Sequence, residues 1–304
     1  MRSTRIFTQP ARRAAITPYL WMVLFFLVPF VLVIKISLSQ TVIAQPPYVP
    51  VFDLKAGREG LSAAFATFSL DNFRLLVSDH LYLAAYIRSL TVAVIASAIL
   101  LAIGYPIAYG MARLPARWRG VAMMLVIVPF WTSFLIRIYA WMNILQHDGL
   151  LNKTLLALHI VSAPVVWLST DTAMYLGMVY SYLPFMILPL YATLSKLDPA
   201  QLEAAADLGA SRLASFWLIT FPQSLPGVAA GVLLCFIPIV GEFVIPDLLA
   251  GSESLMIGQA LWLEFFTNRD WPMASATAIV MLVVLLVPLL FYDRLQRRQL
   301  EAPR

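Results

Sequence analysis

The sequence predicts an all-α integral membrane protein with six transmembrane helices, and two properties of the chain carry that reading. Of its 304 residues 61% are hydrophobic and only 12% are charged, with a mean hydropathy of +0.82, whereas an ordinary soluble domain carries about 25% charged residues. The charged side chains are also spaced so as to leave six apolar windows, between Arg13 and Lys35, Arg88 and Arg113, Arg119 and Asp148, Asp171 and Lys196, Arg212 and Glu242, and Asp270 and Asp293. Each can supply the roughly 20 residues that cross a hydrocarbon core of about 30 Å. The third alone is interrupted, by Arg137.

The first window follows a basic stretch, Arg2, Arg5, Arg12 and Arg13. Its apolar run exceeds the roughly 7 to 15 residues of a secretory leader, so an uncleaved first span is expected, preceded by a cytoplasmic tail over residues 1–16. Residues 36–85 form the longest external stretch, with Pro46, Pro47, Pro50 and Gly57 breaking any regular pattern. That stretch is expected to pack over the outer mouth. In the second span Pro106 follows Gly104, and in the third Pro129 opens the apolar part. A second outer segment, 147–171, begins with the turn signal His147-Asp148-Gly149. Pro184 and Pro189 sit in the fourth span, Pro238 and Gly241 in the fifth. The third outer segment, 243–272, holds an amphipathic stretch from Leu255 to Phe266. After the sixth span, residues 293–304 form a C-terminal tail. A proline removes an intrahelical hydrogen bond, and in lipid the freed carbonyl must find another partner or line a wet cavity. Broken spans therefore suit a pathway, and a static kink is the plainer account of any one proline.

Orientation follows from the cations, which are retained on the cytoplasmic side. With both termini inside, the inner segments hold Arg2, Arg5, Arg12, Arg13, Arg113, Arg117, Arg119, Lys196, Arg212, Arg294, Arg297, Arg298 and Arg304. The outer segments hold Lys35, Lys55, Arg58, Arg74, Arg88, Lys153 and Arg269. The net charge of +5 thus reflects topology and does not indicate nucleic-acid binding. A single cysteine, Cys235, excludes an intramolecular disulfide and a cysteine-based metal site.

Residues 196–222, between the fourth and fifth windows, read as a capped helical lever. Asp198-Pro199 places an N-cap acid before a proline at the first helical position, and Gln201 stands where a capping-box partner belongs. Ala204, Ala205 and Ala206 permit close approach of a partner, and Gly209 can take the left-handed conformation that ends a helix. Ser211 is placed to cap the next helix, which carries Phe216, Trp217 and Leu218 toward the fifth span.

The spacing of Glu203-Ala204-Ala205, Gly209, Ile219 and Phe221-Pro222 resembles the cytoplasmic EAA loop of binding-protein-dependent ABC-transporter permeases. Phe221 stands where that pattern usually has Leu. The resemblance implies the type I ABC importer permease fold, six spans over residues 17–292 with a cytoplasmic coupling-helix loop at 196–222, in a bacterial inner membrane. Glu203, Ala204, Ala205, Gly209, Ile219 and Pro222 are then the residues that couple to an ATPase. The segments Pro129 to Trp141, Val240 to Pro246 and Met256 to Ala276 are similar to the polyamine branch of these permeases, within it most to those for putrescine. The resemblance implies a second homologous permease, two cytoplasmic ATPase subunits and a periplasmic polyamine-binding protein. No cofactor is expected on this chain itself, since it contains no Gly-Lys dipeptide for a P-loop and ATP and magnesium belong to the partner ATPase.

A dication moving through such a protein should meet carboxylates and aromatic faces. The third outer segment, with Glu242 at its boundary, has Glu242, Asp247, Glu253, Glu264 and Asp270 against Arg269, while the second has Asp148 and Asp171 against Lys153. The first, with Asp53, Glu59, Asp71 and Asp79, carries a small excess of cations. Glu242 is the first candidate for an ammonium contact and Asp171 the second, with Trp131, Tyr139, Trp141 and Tyr180 as aromatic walls. A salt bridge to Arg137 is the competing role for Glu242, and a lipid-facing or interfacial role the competing one for each aromatic. Spermidine or another small cationic or organic solute is the alternative cargo. Two other classes remain open: an intramembrane enzyme, for which His80, His147 and His159 offer no metal-ligand spacing, and a secondary transporter, which would need no ATPase.

Overall fold

A computed structural model describes residues 9–51, 67–251 and 254–301. The cations Arg2, Arg5, Lys55, Arg58 and Arg304, with Asp53, Gly57, Glu59 and Glu253, lie outside the described residues. Among the described residues five helices are long and apolar enough to span a membrane, Ile16–Ser37, His80–Arg113, Asp171–Leu194, Arg212–Val240 and Trp271–Arg294, and a bent pair of helices makes up a sixth candidate. The chain divides into two compact units, one reaching to Asp79 and including Leu261–Val283, the other comprising His80–Ala260 and the residues from Val284 onward.

In the first unit α1 (Gln9–Met22) passes through a π-turn, Val23–Leu27, into α2 (Val28–Ser37). Its large side chains from Tyr19 to Val28 are about half exposed or more, which is the surface a lipid-facing helix presents. The described part of residues 36–85 is more regular than its prolines predict. Strands β1 (Gln40–Thr41) and β2 (Tyr48–Val49) pair antiparallel, with Pro46 and Pro47 confined to the connection and Pro50 just past β2, where no ladder N–H is needed. The buried Lys35 donates to the Pro50 carbonyl and lies 4.1 Å from the Tyr48 ring centroid. A short helix, α3 (Asp71–Ser78), completes the stretch.

The second unit is built on α4 (His80–Arg113), with α5 (Ala116–Ile127), α6 (Phe134–Leu145) and α7 (Leu150–Ala157) before α8 (Asp171–Leu194). Then come α9 (Pro199–Asp207), α10 (Arg212–Ser215), a π-turn over Phe216–Thr220, α11 (Phe221–Val240), α12 (Val244–Leu249) and α13 (Ile257–Trp262), while α14 (Trp271–Glu301) belongs to the first unit as far as Val283 and to the second from Val284. Helices α4, α8 and α11 pack on one another and form the core. Val92, Ala93, Ala96, Leu100 and Ala108 line the buried stripe of α4, and Met174, Met178, Met186 and Leu190 that of α8, at helical spacing. The matching stripe of α11 is small: Ser224, Gly227, Gly231 and Cys235 are all buried. A Cβ on Gly227 would stand 2.6 Å from Thr193 Oγ1 and 2.9 Å from the Pro189 carbonyl oxygen, and one on Gly231 would stand 2.8 Å from Met186 Sδ. Glycine at these two sites lets the backbones approach, which is how helices associate where lipid removes the hydrophobic drive between them.

One expectation is corrected here. Pro106, Pro184, Pro189 and Pro238 lie inside continuous helices, so those spans are not broken. The third window does break. After a 3-10 turn at Val128–Trp131, Thr132 and Ser133 are extended and the chain turns through 89° between 116–131 and 134–157. The Pro129 carbonyl accepts from Thr132 Oγ1 at 2.8 Å, giving an end-of-helix carbonyl a partner inside the chain. The turn at His147-Asp148-Gly149 leads into α7, a helix the sequence did not announce. Its Asn152 is 1% exposed and organises the segment, donating to the His147 and Val165 carbonyls and accepting from Val165 N and Trp167 Nε1.

Candidate functional site

The loop that follows α8 has the expected lever geometry. Asp198 Oδ1 accepts from Ala200 N at 3.0 Å and caps α9, with Pro199 in its first turn. At the other end Gly209 has φ +82°, Ala210 N donates to Ala205 O and Gly209 N to Ala206 O, both at 2.9 Å. That is a Schellman stop, which uses carbonyls a helix end otherwise leaves unsatisfied. Ser211 Oγ accepts from Ala214 N and caps α10, which runs through its π-turn into α11 with helical dihedrals at both junctions. One detail differs from the expectation. Gln201 forms no capping box, and its Oε1 accepts from Gln223 Nε2 at 2.5 Å, tying α9 to the base of α11. Glu203, Ala204 and Pro222 are exposed, and Ala205 and Ile219 half-buried. Leu208 is 89% exposed, and Leu213, Trp217 and Leu218 are exposed with it, an apolar surface on a segment that leaves the span.

Glu242 is 8% exposed and occupied within the chain. Its Oε2 accepts from the Tyr182 hydroxyl, and Oε1 faces the backbone N–H groups of Phe243, Val244 and Ile245 at 3.2, 3.0 and 3.4 Å. The carboxylate thus joins α8 to the start of α12, with amide donors compensating its burial. Gly258 packs against the same corner, where a Cβ would come within 2.4 Å of the Gly241 carbonyl oxygen and 2.7 Å of that of Glu242. Arg137 forms no ion pair with Glu242. Its guanidinium lies 4.9 Å from the Phe130 ring and 5.8 Å from that of Phe134, and its buried Nε and Nη1 have no hydrogen-bond partner among the described residues.

Asp171 has a separate set of partners at the start of α8. It pairs with Arg88 of α4, and Ser254 Oγ accepts from Arg88 Nη2 at 3.2 Å and donates to Asp171 Oδ1 at 3.3 Å. One residue on from Arg88, Ser89 Oγ accepts from Ile257 N at 2.8 Å. Of the four aromatic candidates the fold brings two together: Trp141 and Tyr180 meet edge to face with centroids 5.5 Å apart. Trp131 and Tyr139 are 76% and 50% exposed. Sequence reasoning missed Tyr182, Arg88 and Ser254. A carboxylate at membrane depth needs a donor, and that requirement, applied to the hydroxyls of α8, was the available signal for Tyr182.

The structure joins a capped helical loop to a core of closely packed apolar helices, and the comparisons give the class of protein this is. Residues 104–301 match the family described as binding-protein-dependent transport system inner membrane component, and the chain belongs to that family. It is 39% identical over 277 residues, 91% of this chain and 94% of the relative, to the spermidine/putrescine transport system permease protein PotB of Escherichia coli (strain K12). The PotB of Haemophilus influenzae is 36% identical over 274 residues, 90% of each chain. Among solved structures, an ABC transporter that imports the acidic polysaccharide alginate superposes with a TM-score of 0.69 at 19% identity over 94% of both chains. The MetNI methionine ABC transporter superposes with a TM-score of 0.54 at 15% identity over 76% of this chain and 99% of that one. The fold is that of a type I ABC importer permease, and its relatives are transport subunits, not enzymes.

Proposed function

We propose that this chain is the membrane-spanning subunit of an ATP-driven importer for polyamines, with putrescine as the cargo. The observation that carries the reading is the 39% identity over 91% of the chain to permeases whose name specifies spermidine and putrescine. Two ATPase subunits hold ATP and magnesium and seat on the lever, where Leu208, Leu213, Trp217 and Leu218 are exposed around Glu203 and Gly209. A second homologous permease completes the pathway, and a periplasmic binding protein delivers the polyamine. Both termini lie in the cytoplasm, as the distribution of Lys and Arg supports. ATP-driven closure of the ATPases pushes α9. Because α10 continues into α11, and α11 lies flush on α8 at Gly227 and Gly231, the push reorients these two helices. Glu242 follows the end of α11 and meets its donor Tyr182 midway along α8, and Asp171 at the start of α8 pairs with Arg88 of α4. An incoming ammonium group competes with those internal donors for the two carboxylates, and Trp141 and Tyr180 offer faces to the methylenes.

The test is uptake of labelled putrescine into proteoliposomes holding the full complex, with spermidine as competitor and with ATP and binding protein each omitted in turn. ATP-dependent putrescine uptake that resists spermidine is the expected result. Uptake abolished by equimolar spermidine would make spermidine the cargo. Intact ATP hydrolysis with uptake of neither would remove polyamines as substrates.

A further inference from the structure

We propose that the hollow between the ends of α4 and α8 and the lever helix α9 binds the phosphate headgroup of an anionic phospholipid. A cavity of about 650 Å³ lies there, lined among others by Arg113, Arg119, Leu194, Leu202 and Thr220. A second, of about 460 Å³, shares Arg113, Leu202 and Thr220 and adds Arg212. Thr220 lines both cavities and is 1% exposed, and its hydroxyl has no hydrogen-bond partner among the described residues. A buried hydroxyl without a partner is uncommon and asks what it serves. A phosphate oxygen is an acceptor it could satisfy.

The charges agree with the hydroxyl. Arg113 is steadied 4.2 Å from the Tyr109 ring centroid and Arg119 by donating from Nε to the Leu114 carbonyl at 2.8 Å. Among the described residues neither they nor Arg212 pairs with a carboxylate. Glu203 is the acid in the lining, so three cations face one anion. Arginine presents a planar fork of donors that fits phosphate. The position at the ends of the spans favours a lipid over a soluble anion. The ends of α4, α5, α8 and α11 meet at this level, and Trp118, 51% exposed between Arg117 and Arg119, is a residue type that settles at the headgroup layer. Leu194 and Leu202 give the hollow an apolar side for the glycerol and first methylenes. The site lies against the lever and rests on reading α9 as the segment that meets the ATPase. Lipid occupancy would then bear on how the lever moves.

Native mass spectrometry of the assembled complex, purified with phosphatidylglycerol, tests this without any substrate, so its outcome is independent of the polyamine reading. Wild type should retain the lipid. Arg113→Gln and Arg119→Gln should each weaken retention about fivefold, Thr220→Val should weaken it further, and the Lys variants at both arginines should restore it, which separates charge from folding. Equal retention in wild type and the double Gln variant would overturn the proposal. So would unchanged lipid with loss of the ATPase subunits, which would make an ATPase loop the occupant. Full displacement of the lipid by an equal concentration of inorganic phosphate would make the site one for a free anion, and the lipid reading would fall.

Discussion

Glu242 shows how a buried charge is made tolerable and what removing its partner costs. Its carboxylate accepts from one phenol and three backbone amides, and hydrogen bonds to a charged group contribute about 1.5–3 kcal/mol each. Tyr182→Phe removes one of them while preserving the ring, so the purified complex should lose stability of that order, read as a lower thermal midpoint. A midpoint equal to wild type would mean that the phenol does not hold the carboxylate. Gly209 is the second residue with a defined demand. At φ +82° an L side chain is disfavoured by about 1–2 kcal/mol, and a β-branched one by more. Gly209→Val should therefore abolish uptake while leaving membrane insertion intact, and wild-type uptake from that variant would end the lever account. The glycine was legible because a left-handed stop has a sequence signature. Tyr182 was not, because Tyr180 and Tyr182 look alike in sequence and only the helix phase assigns one to Trp141 and the other to Glu242.

At the level of helices, the contact between α8 and α11 depends on glycine. With the Pro189 backbone 2.9 Å from the Cβ position of Gly227, Gly227→Ala should cost about 1–3 kcal/mol through overpacking, and Gly227→Leu should prevent assembly. Size-exclusion profiles and thermal midpoints of the two variants check both outcomes. The spans, the Asp198 and Ser211 caps and the Gly209 stop were readable, since apolar length and capping residues are local properties. Which prolines break a helix was not. Pro129 stands before a chain that turns extended at Thr132 and Ser133, whereas Pro184 and Pro189 stand in a helix braced by two neighbours, and the difference is set by packing. The β-hairpin was hidden for the same reason, because its prolines mark a turn, and the contacts of Tyr48 with Lys35 and Trp271 become visible only when distant segments meet.

For the molecule as a whole, the orientation inferred from Lys and Arg gives a direct prediction. Cys235 is buried, so with Cys235→Ala as background a single cysteine can report on each side of the membrane. An impermeant maleimide should label Lys153→Cys in intact cells and Lys196→Cys only after permeabilisation. The opposite pattern would invert the topology and move the lever to the outside. The 34 residues of α4 make a helix about 51 Å long at 1.5 Å per residue, whereas the 24 residues of α8 reach about 36 Å, close to the roughly 30 Å of the hydrocarbon layer. A thinner or thicker bilayer therefore leaves α4 spanning with length to spare but strains α8, and the two helices, joined where Arg88 meets Asp171, would be sheared against each other. Bilayer thickness is in that sense a mechanical input to this protein, applied to the same helix that supports Glu242.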